Sequence, residues 1–309
     1  GVREGVEEDP NKRNKNDFVL WFTKSKFEDQ ALKWDSPWGV GYPGWHIECS
    51  GISLKYNGEY LDLHCGGVDN AFPHHTNEIA QSEAYLGHPW CKQWFHVHHL
   101  NTNSGKMSKS KGEFLTVSLL REKGYDPLAY RFFCLQSHYR KALVFSWENL
   151  ANAATAYQKL AKKIAALKPG DGGVDETVVK EYREKFIQQV GNDLNTAQGI
   201  TLLYDALKAK TGDATRLAIL ASFDQVLSLS LLDKAAAVRE EQAKVKAAQA
   251  QAGYTVTGEG DPAIDALVLA RYEAKKAKNF AEADRIRDEL KAQGIEIIDT
   301  KGGASWKRV

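Results

Sequence analysis

The pattern of apolar residues changes near Thr116, and this change most limits the folds open to the chain. Before it, short apolar runs are separated by Gly, Pro and Asn, which is typical of an α/β layer. After it, apolar residues recur at the spacing of amphipathic helices. The sequence therefore predicts an α/β core, then an α-helical bundle, and then a small C-terminal α+β module.

The predicted α/β part has strand–helix–strand order, which favours a parallel sheet. Pro73 is expected to open its helix, and Gly87 to end it. The predicted strands span 17–22, 60–65 and 94–100, and the predicted helix runs from about His74 to Leu86.

The helical part is expected to begin with short amphipathic helices that carry Leu119, Leu128 and Phe132. Longer helices are predicted at 147–167, 174–191, 194–210 and 213–231. Residues 235–252 are predicted to form an exposed helix or a linker, because their apolar periodicity is weak. The C-terminal module is predicted to contain helices at 263–278 and 280–292, a strand at 295–298, and a second strand after a Gly-Gly turn at 302–303.

Composition limits the functional classes without selecting one. The 309 residues carry a formal net charge of +1, so any nucleic-acid surface must be a local basic face. No apolar run approaches the roughly 18 residues that span a bilayer, and the polar, acidic start does not resemble a secretory signal. The four cysteines form no Cys-x-x-Cys pair, which favours a reduced, cytoplasmic protein over a disulfide scaffold.

One group of residues has the chemistry of a metal site. His74 and Glu78 are four residues apart on the predicted helix and therefore share a face, and Cys49 precedes them in the sequence. Thiolate, imidazole and carboxylate groups suit zinc, which prefers four ligands in a tetrahedron, so a fourth would have to come from elsewhere. Spacing alone leaves other nearby donors open as alternatives, namely His64, Cys65, Asp69 and His75.

A lysine-rich loop follows the last predicted strand of the α/β part. Lys106 and Lys109 lie among small residues between Gly105 and Gly112, and Met107 is the only methionine of the chain. Such a cationic segment can reach a polyphosphate and offset the charge that grows as pyrophosphate leaves. It does not match the phosphate-binding loop of P-loop proteins, because Leu100 stands where that motif needs Gly.

Taken together, these motifs resemble the cysteinyl-tRNA synthetases, which are class I aminoacyl-tRNA synthetases. The Lys-Met-Ser-Lys-Ser sequence at 106–110 matches their signature. Further segments resemble the family in order along the chain, and they lie at 17–21, 44–50, 66–69, 72–83, 137–140 and 305–308.

The resemblance implies a Rossmann-type catalytic core and a two-step reaction. L-Cysteine and ATP, with Mg²⁺, form cysteinyl-adenylate, and the cysteinyl group then passes to tRNA-Cys. The implied segments are a linker (1–16), the C-terminal half of the catalytic core with the zinc site and the signature loop (17–115), a stem-contact helical region (116–145), a helix bundle (146–232), a linker helix (233–260) and an anticodon-binding module (261–309).

The resemblance also implies roles for individual residues. The implied zinc ligands are Cys49, His74 and Glu78; the catalytic residues are Lys106 and Lys109; the ATP-binding residues are Lys109, Gly67 and Asp69; the wall of the amino-acid pocket is Trp45; and the anticodon-reading residues are Phe280, Asp284 and Asp299. Phe280 stands where the family more commonly has Trp, and an aromatic ring at this position can still stack on a base.

Zinc would explain how the enzyme distinguishes cysteine from serine. The two amino acids differ by one atom, which an apolar pocket distinguishes poorly. A zinc ion with an open position binds a thiolate, which the hydroxyl of serine does not imitate at neutral pH.

Family members begin with a first half of the nucleotide fold, which carries a His-Ile-Gly-His type signature and the remaining zinc-ligand cysteine. No His-x-Gly-His occurs in this sequence, so we expect roughly the C-terminal two-thirds of such an enzyme. This chain alone is then expected to expose apolar surface, to hold zinc weakly and to form no adenylate, unless a separate polypeptide supplies the first half.

Two other functions are consistent with parts of the sequence. A non-catalytic tRNA-binding relative would keep the bundle and the C-terminal module, but it would not need the zinc ligands or the signature lysines. The cysteine ligase of mycothiol synthesis uses a similar zinc site, but that family lacks this anticodon-type module.

Overall fold

The computed structural model describes residues 10–25, 31–102, 115–170 and 172–309, together with the backbone of 105–106. The chain forms two compact units. The first contains Gly1–Phe114 and Ser137–Ser146, and the second contains Leu115–Gln136 and Trp147–Val309. The predicted α/β core, helical bundle and small C-terminal α+β module are all present. The finer division into six segments stays a prediction.

The first unit is built around a parallel β–α–β arrangement. Its elements are β1 (Trp21–Phe22), β2 (Tyr42–Pro43), α1 (Trp45–Asn57), β3 (Leu61–Gly67), a short 3₁₀ turn (Val68–Asn70), a π-helical turn (Ala71–His75), α2 (Thr76–Leu86), β4 (Cys91–Val97), β5 (Leu100–Thr102), β6 (Gly105–Lys106) and β7 (Leu143–Phe145). Strands β3 and β4, which precede and follow α2 in the sequence, pair in parallel with each other, as predicted. A second small sheet has the order β6–β5–β7.

Three predictions for this unit need correction. The strand expected at 17–22 is reduced to Trp21–Phe22, which pairs antiparallel with β2. The strand expected at 94–100 begins at Cys91 and ends at Val97, and β5 follows it. Helix α1, which carries Cys49, was not predicted, because its apolar residues are scattered around the helix and Ser50 is its only buried residue.

Few apolar side chains of the first unit are buried. Among its described residues, Trp90 and Phe145 are the only buried large apolar side chains. Large aromatic side chains are exposed instead, with Trp38 at 68%, Tyr56 at 74% and Tyr85 at 81%. Apolar surface of this extent marks a contact surface in a soluble protein.

The second unit begins with α3 (Val117–Glu122) and α4 (Pro127–Leu135). The bundle helices are α5 (Trp147–Ala165), α6 (Glu176–Gly191), α7 (Thr196–Leu207), α8 (Asp213–Leu227) and α9 (Leu231–Ala252). Leu150, Leu160, Leu203 and Phe223 are completely buried, and they form part of the bundle core.

The helix expected at 213–231 ends earlier, at Leu227. Ser228 and Ser230 adopt left-handed backbone conformations, each with a φ of 51°. The Asp224 carboxylate accepts hydrogen bonds from the backbone N–H groups of Leu229 (2.6 Å) and Leu231 (2.7 Å). The Asp224 side chain therefore binds two backbone N–H groups that have no helical partner beyond the end of α8, and this stabilises a sharp turn into α9.

The C-terminal module contains β8 (Thr255–Thr257), α10 (Pro262–Lys276), α11 (Phe280–Ala292), β9 (Ile295–Thr300) and β10 (Gly303–Arg308). Strand β10 lies between β9, which is antiparallel to it, and β8, which is parallel and was not predicted. The Trp306 ring is buried in the core of the module and its Nε1 donates to Asp265 at 2.6 Å. A Cβ on Gly258 would lie 2.1 Å from that ring, so only glycine fits there.

None of the helices in the described parts of the chain combines the length and the apolar character that a membrane crossing requires.

Candidate functional site

The structure brings together the three residues that the sequence indicated as metal ligands. One donor atom from each of Cys49, His74 and Glu78 lies within 4.8 Å of the other two. Cys49 comes from α1, His74 from the π-helical turn, and Glu78 from the first turn of α2. These separations match donors arranged around one ion, because zinc bonds to sulfur, nitrogen and oxygen are roughly 2.0 to 2.3 Å long.

Glu78 is the most unusual member of this group, because its side chain is completely buried. Its Oε2 accepts a hydrogen bond from His64 Nε2 at 2.9 Å. Its Oε1 lies 2.9 Å from His74 Nε2, but the geometry of a hydrogen bond is not met, and no donor reaches it within the described chain. A buried carboxylate oxygen without a donor is costly, and a cation between Glu78 and His74 would satisfy both atoms.

A second histidine orients His74. The Nδ1 atoms of His46 and His74 are 2.6 Å apart, within hydrogen-bonding distance, and His74 Nε2 lies on the side of Glu78. This arrangement is common for metal-binding histidines, whose second nitrogen is normally held by a neighbour. His46 was not predicted from the sequence, although it lies three residues before Cys49 on the same face of α1.

Burial changes the ionisation of the thiol and of a nearby imidazole. It raises the pKa of Cys49 above its usual value, and the Glu78 and Glu48 carboxylates raise it further. Without a neighbouring cation the thiol therefore stays protonated at neutral pH. Burial also lowers the pKa of His75 to about 4, with smaller contributions from His64, His96 and His74, so this ring is neutral.

An alternative donor set shares Glu78. His64, His75 and Glu78 also offer donor atoms within 4.8 Å of one another, whereas Cys65 and Asp69 belong to neither group of described residues. In this second set, however, His64 already donates to Glu78, and His75 Nδ1 lies 2.8 Å from His96 Nε2. The set that contains Cys49 is chemically the better zinc site, because it includes a thiolate and the carboxylate oxygen that lacks a donor.

The residues expected to face ATP lie at the carboxyl end of β3. This edge of a parallel sheet is where α/β folds commonly bind nucleotides. A Cβ on Gly67 would come within 2.5 Å of Asp69 Oδ1, so the backbone turns tightly here. Asp69 Oδ1 also lies 3.4 Å from His99 Nε2.

The structure describes the predicted pocket residue Trp45 fully, but it describes the predicted catalytic lysines only in part. Trp45 is 74% exposed, and its ring lies edge-on 5.9 Å from the ring of His74, at the rim of the donor set. The backbone of Lys106 pairs with Asn101 in the β5–β6 ladder. Lys109 lies outside the described residues.

The three predicted anticodon-reading residues all lie in the C-terminal module. Phe280 begins α11 and is 62% exposed, and Asp284 follows one helical turn later. Asp299, on β9, accepts two hydrogen bonds from Arg271, at 2.7 and 3.0 Å, and one from Lys275 at 2.9 Å. Arg271 was not predicted from the sequence; it is largely buried, and the charge of Asp284 also helps to raise its pKa.

The Asp299 ion pair gives a pH prediction. Hydrogen bonds from Arg271 are the main reason that the pKa of Asp299 is lowered from 3.8 to about 2, and Lys275 contributes to this shift against an opposing effect of burial. A lowered pKa stabilises the folded state fully above the unfolded value, and this stabilisation is lost as the pH falls through the folded value.

We therefore expect the difference in unfolding free energy between wild type and Asp299→Asn to shrink as the pH falls from about 4 to about 2. Thermal unfolding of both proteins between pH 5 and pH 2 measures this difference. Asp205→Asn, at an exposed position on α7, is the control and should show no such change. A constant difference for Asp299→Asn over the whole range would contradict the prediction.

Comparison with protein families gives two matches. The model described as "tRNA synthetases class I (C) catalytic domain" matches residues 2–155. The model described as "Cysteinyl-tRNA ligase anticodon binding domain" matches residues 257–306. Together they cover the donor set in the first unit and the C-terminal module in the second.

Curated proteins similar to the chain are named cysteine–tRNA ligase. The protein from Borreliella burgdorferi (strain ZS7) is 41% identical over 98% of this chain and 63% of its own length. The protein from Treponema denticola is 38% identical over 98% of this chain and 64% of its own length. The protein from Brevibacillus brevis is 39% identical over the same share of the chain and 64% of its own length. The chain thus spans slightly less than two-thirds of these relatives.

Proposed function

Because the chain belongs to the cysteinyl-tRNA synthetase family of class I synthetases, we propose that it takes part in the ATP-dependent ligation of L-cysteine to tRNA-Cys. The single observation that best supports this activity is the convergence of Cys49, His74 and Glu78 on one point. A thiol-selecting enzyme needs such a set, and a module that only binds RNA does not.

In this proposal the first unit selects the amino acid. Cys49, His74 and Glu78 would hold zinc, which supplies a soft, positively charged partner for the substrate thiolate. His64 and His46 keep the ligand side chains in place through their hydrogen bonds to Glu78 and His74. Trp45, at the rim of this group, would cover the bound amino acid and limit its access to water.

ATP would bind beside this group, at the carboxyl end of β3. The tight turn of Gly66 and Gly67 would let a nucleotide approach the backbone closely, and Asp69, which follows this turn, would bind a sugar hydroxyl. Lys109, assisted by Lys106, would stabilise the negative charge that develops on pyrophosphate as it leaves, with Mg²⁺ on the phosphates.

The second unit would bind tRNA-Cys through the C-terminal module. Phe280 offers an exposed ring on which a base can stack. Asp284 and Asp299 are carboxylates that can accept hydrogen bonds from base edges, and Arg271 fixes the orientation of Asp299.

We further propose that adenylate formation requires the additional sequence that the relatives contain and that these 309 residues do not include. The chain alone should therefore show no ATP–pyrophosphate exchange with L-cysteine. Addition of a polypeptide corresponding to the preceding part of a relative should restore exchange, provided that the exposed apolar surface of the first unit accepts it.

The assay compares wild type with Cys49→Ser, and it includes L-serine as the competing substrate. Restored exchange that is specific for cysteine and lost in Cys49→Ser supports the proposal. Strong exchange by the chain alone would contradict the requirement for additional sequence. Selective binding of tRNA-Cys without any restorable exchange would instead favour a non-catalytic tRNA-binding protein.

A further inference from the structure

The C-terminal module contains a cavity of about 620 Å³ beside the predicted anticodon-reading residues. Its walls include the apolar side chains of Ile295 and Ile297 and three cationic side chains, those of Arg271, Arg287 and Lys291. Glu296 is the acidic side chain in the lining, and Lys307 binds it at 2.8 Å. The side-chain charge facing the cavity is therefore mainly positive.

The three cationic side chains differ in how available they are to bind a ligand. Arg271 is almost buried and is committed to Asp299. Arg287 binds Asp284 at 2.8 Å and Asp288 at 3.0 Å, but these pairs are exposed and therefore weak, and the guanidinium has further donors. Lys291 is exposed, and no acidic partner lies within ion-pair distance of it in the described parts of the chain.

Helix α11 connects this cavity to the predicted base-reading residues. Phe280, Asp284, Arg287 and Lys291 follow one another at spacings of four, three and four residues, so they form one exposed stripe along the helix. At a rise of about 1.5 Å per residue, Lys291 lies roughly 10 Å along the axis from Asp284. The aromatic and acidic positions come first on this stripe, and the cationic positions follow.

We propose that Lys291 and Arg287 bind a backbone phosphate of the RNA strand whose bases contact Phe280, Asp284 and Asp299. This inference rests on the proposed tRNA binding and assigns a separate task to each end of the stripe. Phe280 and Asp284, at the N-terminal end of the stripe, distinguish bases. Arg287 and Lys291, at its C-terminal end, hold the strand in register without reading its sequence, as phosphate contacts generally do. Arg271 adds positive charge behind the site while it keeps Asp299 oriented.

A structural role for Lys291 is the competing explanation. It lies in the last turn of α11, where a cation is favoured by the helix dipole and by the free carbonyl groups. That role predicts a loss of helix stability in Lys291→Ala and no change in the salt dependence of RNA binding. A phosphate contact predicts the reverse, because each contact releases counterions from the RNA.

The experiment measures binding of a tRNA-Cys transcript to the full chain over a range of salt concentrations. In Lys291→Ala we expect the slope of log affinity against log salt to become less steep by about 0.7, the value for one contact to a single strand. Affinity should fall by a similar factor for tRNA-Cys and for a transcript with an altered anticodon. Phe280→Ala should instead leave the slope unchanged and weaken binding of tRNA-Cys about 5- to 150-fold, the range expected for a lost base stack.

Lys180→Ala, at an exposed position on α6, is the matched control and should leave both slope and affinity as in wild type. An unchanged slope in Lys291→Ala would overturn the phosphate site, whatever its effect on thermal unfolding. Equal wild-type affinity for tRNA-Cys and for the altered transcript would contradict the proposed function, and the slopes would still test the phosphate site separately.

Discussion

Replacing Glu78 by glutamine should weaken zinc binding by the chain about 100-fold or more, since even the loss of a residue that merely orients a ligand costs 10- to 100-fold. The substitution keeps the size of the side chain but removes the negative charge and one carboxylate oxygen. Glu78 is completely buried, so water cannot easily replace the lost ligand. A competition titration against a chromophoric zinc chelator measures the change.

Glu48→Gln provides a matched control for this prediction. Glu48 lies next to Cys49 in α1 and is close enough to influence its pKa, but it belongs to neither donor set. The same chemical substitution at this position should therefore change zinc affinity by no more than about threefold, as expected for a charge acting at a distance. Equal losses in Glu48→Gln and Glu78→Gln would show that overall charge matters and that the donor set does not.

Two further variants decide which donor set holds the metal. Cys49→Ser should weaken zinc binding strongly, because a hydroxyl is a poor ligand for zinc compared with a thiolate. His75→Gln should have a smaller effect, since His75 supplies no donor atom to the Cys49 set and its Nδ1 lies 2.8 Å from His96 Nε2. A strong loss in His75→Gln combined with normal binding in Cys49→Ser would assign the metal to His64, His75 and Glu78 instead.

Local patterns in the sequence predicted most of the helices, but not every point at which a helix ends. Helices α5, α6 and α11 agree closely with their apolar periodicity, because each has one face in a core and the other in solvent. The turn at 228–230 could not be predicted in the same way. It depends on the Asp224 carboxylate and on Tyr157, whose hydroxyl donates to the Leu229 carbonyl from a position 72 residues away in sequence.

The candidate site could likewise be predicted only in part. His74 and Glu78 could be recognised because four residues on a helix bring two side chains together. The contacts from His46 and His64 depend instead on how α1, β3 and α2 pack, and their partners are 28 and 14 residues distant in sequence. Arg271 was missed for the same reason, because its partner Asp299 lies 28 residues away on β9. Sequence patterns thus indicated ligands, whereas the residues that orient them required the fold.

The helical bundle offers the largest expected effect on stability. The Phe223 side chain on α8 is completely buried and stacks on Phe186 of α6, with ring centroids 4.3 Å apart and an interplanar angle of 16°. Phe223→Ala would remove this contact and leave a cavity between two helices, because a packed core relaxes only partly around a deletion. We expect the unfolding free energy to fall by about 3 to 5 kcal/mol.

Chemical denaturation followed by far-ultraviolet circular dichroism measures this loss, because the bundle contains the three longest helices in the described part of the chain, α5, α6 and α9. Ile187→Ala is the matched control: Ile187 is adjacent to Phe186 on α6, but its side chain is 56% exposed. Truncation there should change the unfolding free energy by about 0.5 kcal/mol or less. A loss below 1 kcal/mol in Phe223→Ala, or an equal loss in Ile187→Ala, would mean that the α6–α8 contact does not hold the bundle together.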